Sequence, residues 1–283
     1  MIKSTIIRRS RRLIRSILLY SVVLIVVFLV ASPVLWTLFC SFKPRPDLFS
    51  VPVKIWPSGF TLDNYIVTWE TTDVPLYLRN SLIVALGATT ITVFISSLAS
   101  YSLCRFPFKG KTLIARGVLF GYMLPGILLS VPYFLMFNRL GLINTFWGLM
   151  LAHAAMSLPF SVWLLWTFFQ TIPQDIEDAG KIDGAGRIRL LGSIVLPLAA
   201  PGIVASGIIT FIFSWNDYLF ASVIASANKV QTLSLGVAMM ASRDYLRWEV
   251  MLASCGLIII TVFILLAIFQ KYLLEGFSAA FVK

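Results

Sequence analysis

Charge is what this sequence has least of. Asp, Glu, Lys and Arg make up 12% of its 283 residues, against 59% hydrophobic ones. Soluble domains carry roughly 25% charged and about 45–50% apolar residues. Together with a mean hydropathy of +0.90, this excludes an ordinary soluble globule and indicates an integral membrane protein. Histidine occurs once, at His153, and cysteine three times, at Cys40, Cys104 and Cys255. One histidine makes no metal site, and three dispersed cysteines in or beside apolar runs match neither a metal spacing nor a disulfide framework. They read as small core residues. Acidic residues number 12 against 23 basic ones. In a soluble protein that surplus would point to nucleic acid. Here the basic residues cluster at the ends of apolar runs, where they set topology and meet anionic lipid.

Long apolar runs are present at about 17–39, 77–103, 113–137, 145–170, 198–224 and 249–272. Each approaches or exceeds the roughly 20 residues that a spanning helix needs. The expected fold is therefore an all-α polytopic bundle of six transmembrane helices over 17–272. A basic segment, 1–16, precedes it and a tail, 273–283, follows. Lys3, Arg8, Arg9, Arg11, Arg12 and Arg15 ahead of the first run resemble the n-region of a signal peptide, but the run exceeds the roughly 7–15 residues of a signal h-region. It reads as an uncleaved first span. With the amino terminus in the cytoplasm, fifteen of the 23 Lys and Arg lie on the cytoplasmic side. The bias toward basic residues inside favours that orientation. It puts both termini and the loop 171–197 in the cytoplasm.

That loop is the most informative stretch. Pro173 suits the opening of a helix. Asp175, Glu177 and Asp178 follow where carboxylates meet the positive end of the helix dipole. Ile176, Ala179, Gly180 and Ile182 share one face at helical spacing. Gly184 offers a left-handed C-cap, and a second helix can run from about 186 to 195. The expectation is helix, glycine turn, helix. Ala179 and Gly180 would leave a bare face for another backbone to approach. A solvated acidic face is the plain alternative.

At these residues the chain resembles the inner-membrane permease subunits of binding-protein-dependent ABC importers. Their signature is a cytoplasmic Glu-Ala-Ala-x-x-x-Gly loop. Here it reads Asp178, Ala179, Gly180, Lys181, Ile182, Asp183 and Gly184, with Asp in place of Glu and Gly in place of the second Ala. Further stretches are similar to the smaller, maltose-transporter-type permease of the carbohydrate branch. They are Ser41 to Pro44, Asn80 to Leu82, Tyr101 to Gly110, Leu140 to Thr145, Leu158 to Phe160, Trp215 to Leu219 and Glu275 to Lys283. The resemblance implies a heterodimer with a second permease, two cytoplasmic ATPase subunits that bind ATP and Mg, an extracytoplasmic sugar-binding protein and a carbohydrate cargo. It implies that Glu177, Asp178, Ala179, Gly180, Asp183, Gly184 and Ala185 form the coupling element. It also implies that Val282 and Lys283 reach the ATPase side. No cofactor, metal or catalytic residue is expected on this chain, and no nucleic acid partner.

Two sharper motifs stand out. Gly110-Lys111-Thr112 hints at a phosphate loop, but Arg105 stands where the first glycine of a Walker motif belongs and no strand precedes it. It reads as a basic turn, so the chain should not bind ATP itself. Trp215, Asn216, Asp217 and Tyr218 sit late in the fifth run. They form either an interfacial girdle, with Asp217 satisfied by a neighbouring helix, or a pore-lining patch suited to sugar hydroxyls. Asn80 is either an anchor at the start of the second span or part of the pathway. His153 reads as a helix–helix hydrogen bond. A stand-alone secondary transporter would want carboxylate or histidine relays or inverted repeats. A membrane enzyme would want a convergent acid, base or nucleophile. Neither set is visible.

Overall fold

A computed structural model describes the backbone at residues 2–52, 54–241 and 247–281, and the side chains there except those of 2–13, 119, 228 and 273–281. The described elements are all helical. In chain order they are α1 (Ile2–Ser41), α2 (Arg45–Leu48), α3 (Asp63–Thr71), α4 (Val74–Arg105), α5 (Lys111–Tyr122), α6 (Gly126–Arg139), α7 (Phe146–Thr171), α8 (Gln174–Ile182) and α9 (Arg187–Leu190). A π turn, Leu191–Val195, leads into α10 (Leu196–Leu198). Then come α11 (Ala200–Asn216), α12 (Leu219–Ile224), a 3-10 turn at Asn228–Val230, α13 (Leu233–Ala241) and α14 (Trp248–Phe281).

Four stretches are long and apolar enough to cross a membrane: Ile14–Ser41, Val74–Arg105, Phe146–Thr171 and Trp248–Tyr272. Two bent pairs raise the number to six if each is one span: Lys111–Tyr122 with Gly126–Arg139, bent by 100°, and Arg187–Leu198 with Ala200–Asn216, bent by 78°. The third run, expected as one helix over 113–137, is therefore broken. Pro125 has no N–H to continue the ladder and pushes Leu124 away from helical geometry. The fifth run, expected over 198–224, is interrupted too. Asp217 is extended at φ −65° and ψ 129°, and the helix restarts as α12. The end helices are longer than the apolar runs: α1 begins at Ile2 and α14 continues to Phe281.

The chain divides into two compact units, 1–68 with 247–259, and 69–246 with 260–283. In the first, the segment after α1 folds around its own polar groups. Asn64 Nδ2 donates to the carbonyls of Ser41 and Lys43 at 2.9 and 2.8 Å. Lys43 Nζ donates to the Lys54 carbonyl at 2.8 Å and lies 4.5 Å from the Trp36 ring centroid. Asp47 accepts from Lys54 Nζ and from the amide and hydroxyl of Ser58. The apolar side chains of α1 from Ile14 to Val30 are exposed within this unit.

In the second unit α4 packs along α7 and α11. Val84, Leu149 and Ala152 are buried with Phe220, Ala221 and Ile224 of α12. Lipid supplies no hydrophobic drive between spans, so close packing and buried hydrogen bonds hold them. Ser100 Oγ donates to the Val162 carbonyl at 2.7 Å, and Ser161 meets Thr210 at 3.3 Å. Bonds of this kind average about 0.6 kcal/mol in membranes.

Candidate functional site

Two places gather the residues singled out in the sequence, and both lie in the second unit. The first is the loop between α7 and the Ala200–Asn216 helix. α8 carries Asp175 and Glu177 in its first turn. It ends in a Schellman motif. The amide of Gly184 donates to the Lys181 carbonyl and that of Ala185 to the Gly180 carbonyl, both at 3.0 Å. Gly184 takes φ +80°, where a Cβ is disfavoured.

The two faces of α8 differ. Ile182 is 87% exposed, and Ile188 beyond the turn 89%. Asp178, Ala179, Asp183 and Gly184 are exposed as well, and Ala185 is half-buried. Asp178 makes an exposed i,i+3 bridge to Lys181, a kind of pair worth little. Gly180 faces inward. A Cβ there would stand 2.6 Å from Leu190 Cδ2, so the missing side chain seats α8 on its own following helix. Of the bare face expected for a partner backbone, Gly180 is taken up inside the loop and Ala179 stays exposed.

Glu177 also faces inward. Its side chain is 3% exposed and pairs with Arg105 Nε, whose side chain is 9% exposed. Tyr101 donates to Glu177 Oε2 at 3.1 Å, and Arg105 Nη2 donates to the Ile172 carbonyl at 2.9 Å. Glu177 is thus an internal anchor. Sequence reasoning offered Arg105 no acidic partner, because a partner 72 positions away leaves no local signal. Tyr101, Phe169, Ile172, Leu191 and Val195 bury the apolar root of the loop.

The second place is the break after α11. Asp217 Oδ2 lies 3.1 Å from His153 Nε2 and accepts the amide of Ala221, in the first turn of α12, at 3.0 Å. His153 Nδ1 lies 2.7 Å from Ser214 Oγ. His153 is fully buried. Trp215 is 1% exposed. It stacks on Phe211 at 5.5 Å, and its carbonyl accepts from Ser234. Asn216 and Tyr218 are exposed, and Asn216 Nδ2 donates to the Ile212 carbonyl.

Asn80 is buried and donates to the carbonyls of Lys229 and Gln231 at 3.0 and 2.9 Å. Ser81 Oγ accepts the Leu233 amide. Of the pathway candidates, Asn80, Trp215 and Asp217 are thus engaged in packing, and only Asn216 and Tyr218 present free surface. Val282 and Lys283 lie outside the described residues. Among the described residues, no group of three or more metal-ligating side chains comes together.

The comparisons with known proteins bear on a helical chain with four to six candidate membrane spans of this kind. A family model described as a binding-protein-dependent transport system inner membrane component matches residues 5–278. The chain belongs to this family. It is a family of membrane transport components. The chain is 33% identical over 273 residues to the trehalose/maltose transport system permease protein MalG of Thermococcus litoralis, covering 95% of this chain and 98% of that protein. It is 35% identical over 251 residues to the sulfoquinovosyl glycerol transport system permease protein SmoH of Agrobacterium fabrum, covering 89% and 88%. Against the trehalose transport system permease protein SugB of Mycobacterium tuberculosis the figures are 33% over 253 residues, 89% and 92%. Among solved structures, a bacterial alginate ABC transporter in complex with a pentasaccharide-bound periplasmic protein has a chain of the same fold. Its TM-score is 0.67 at 13% identity, covering 91% of this chain and 94% of that one.

Proposed function

We propose that this chain is one of two permease subunits of an ATP-driven importer for a carbohydrate, and that it forms half of the translocation pathway. The relatives named for trehalose, maltose and sulfoquinovosyl glycerol, each aligned over most of the chain, support a sugar or sugar derivative as cargo. The periplasmic protein in complex with the alginate transporter supports delivery by an extracytoplasmic binding protein. The remaining partners would be a second permease and two cytoplasmic ATPase subunits, which bind ATP and Mg. Catalysis rests with them and not with this chain. Both termini and the 171–197 loop would face the cytoplasm of the bacterial cell.

The observation that carries the reading is the outward face of the loop. Ile182 and Ile188 are nearly fully exposed beside Asp178 and Asp183, on an otherwise well-anchored element. Exposed isoleucines at the end of a membrane domain, rimmed by charge, suit a protein partner. In the mechanism we infer, ATP closes the two ATPase subunits, the loop moves with them, and the spans rock until the cavity faces outward. Hydrolysis then resets the cavity.

Reconstitution of the chain with its second permease, ATPase and binding protein, assayed with a panel of sugars, tests the reading. ATP-dependent uptake of at least one sugar is expected. Uptake by this chain alone, driven by an ion gradient, would overturn it.

A further inference from the structure

The loop is tied to the rest of the chain in two unlike ways. On the way to the Ala200–Asn216 helix, α8 meets a series of soft joints. Gly184 at φ +80° and Gly186 flank Ala185, a π turn occupies Leu191–Val195, and a 78° bend precedes Ala200. Each of these interrupts regular α-helix between α8 and Ala200. Toward α4 the link is stiff. The Arg105 guanidinium, at the last residue of α4, uses Nε on the Glu177 carboxylate in α8 and Nη2 on the Ile172 carbonyl at the end of α7. A planar guanidinium holds two acceptors in fixed directions. Tyr101, one turn earlier in α4, donates to the other oxygen of Glu177. Arg187 of α9 lies 4.7 Å from the Phe106 ring, just past the end of α4. A cleft of about 140 Å3 remains between these groups.

We propose that Arg105 and Glu177 form the latch through which displacement of α8 is delivered to α4 and the end of α7. The proposal rests on the reading of this loop as the element seated on an ATPase subunit. Both residues act here as positioning residues. Removing one partner of a pair this poorly solvated leaves the other charge without compensation, so the link should fail as a unit. α4 packs along both α7 and α11, so it can pass the motion to both.

The test uses the assembled transporter in lipid nanodiscs. Glu177→Gln and Arg105→Gln are expected to retain the ATPase subunits and to hydrolyse ATP within roughly twofold of wild type. Transport per ATP should fall roughly tenfold. The charge-exchanged pair Arg105→Glu with Glu177→Arg should transport better than either of its single reversals. Spin labels at Asp175→Cys and Lys109→Cys, with Cys40, Cys104 and Cys255 replaced, give a readout that needs no charge exchange. Their separation should stay the same in nucleotide-free and ATP-bound states, and should broaden in Glu177→Gln. A label separation that changes with nucleotide in the unaltered pair overturns the latch. So does a parallel fall of transport and hydrolysis, or loss of the ATPase subunits from the single variants. The docking reading fails separately, if Ile182→Asp with Ile188→Asp leaves ATPase association and hydrolysis intact.

Discussion

His153 Nε2 stands 3.1 Å from Asp217 Oδ2, and this contact joins the buried middle of α7 to the break between α11 and α12. The aspartate faces protein and not open space. Its carboxylate also accepts the Ala221 amide in the first turn of α12. Asp217→Ala would therefore leave one imidazole nitrogen and a helix-end amide unpaired. An unmade buried hydrogen bond costs about 1–3 kcal/mol, although pairs within membranes average nearer 0.6. Asp217→Ala should lower the thermal midpoint of the purified complex, and His153→Gln, which can still donate, should lower it less. Equal midpoints for wild type and Asp217→Ala, with altered sugar preference, would return Asp217 to the pathway.

Surface at the same break separates the neighbours. Cysteines at Asn216 and Tyr218, in a background lacking Cys40, Cys104 and Cys255, should react with impermeant thiol reagents from the outside, at a rate that depends on nucleotide. Cysteines at Trp215 and Asp217 should react at least tenfold more slowly, because their side chains are nearly fully covered. Equal labelling of all four would show that the α11–α12 break is open in the working transporter.

The apolar runs located the spanning helices because each long run must satisfy its backbone internally once in lipid. What stayed hidden was how those runs break and where their few polar groups go. Pro125 was visible, yet the apolar stretch continued past it. The break at Asp217 carries no proline or glycine, and the His153 ring that its carboxylate meets lies 64 positions away. The helix–glycine–helix loop was legible because its signals are local: acidic first turn, glycine at the turn, proline at the start. The inward turn of Glu177 was not, since Arg105 is brought to it only by the packing of α4 against α7. Gly180 shows the same limit. A glycine on a helix face announces a close approach but not whether the visitor is Leu190 of the same loop or a partner.

Gly184 tests the loop geometry. At φ +80° a β-branched residue is strained by roughly 1–2 kcal/mol. Gly184→Val should insert and assemble but lower both stimulated ATP hydrolysis and transport. Gly184→Asn, which tolerates the left-handed region, should retain most of both. Normal coupled activity in Gly184→Val would mean that the turn can be rebuilt without loss.

Acid should act on the segment that follows α1 through Asp47. Hydrogen bonds from Lys54 and from the hydroxyl and amide of Ser58 hold its carboxyl well below the usual carboxylate range. The unfolded value is about 3.9. A group whose folded value is depressed contributes fully above its unfolded value, and loses that contribution as pH falls through the folded one. Between pH 8 and about 5 the segment should therefore hold its structure with no change traceable to Asp47, and it should loosen only under stronger acid. Asp47→Asn removes the charge at every pH, so it should open the segment near Lys54 and Ser58 already at neutrality. Protease cleavage between residues 44 and 60 in the reconstituted complex reads this out. The expected pattern is slow, pH-independent cleavage of the wild type from pH 8 to 5, and faster cleavage of Asp47→Asn throughout. A wild-type cleavage rate that climbs steadily from pH 7 to 5 would show that Asp47 is not held as the three hydrogen bonds require. The order of the segment would then have to come from Asn64 and the buried Lys43 ammonium instead.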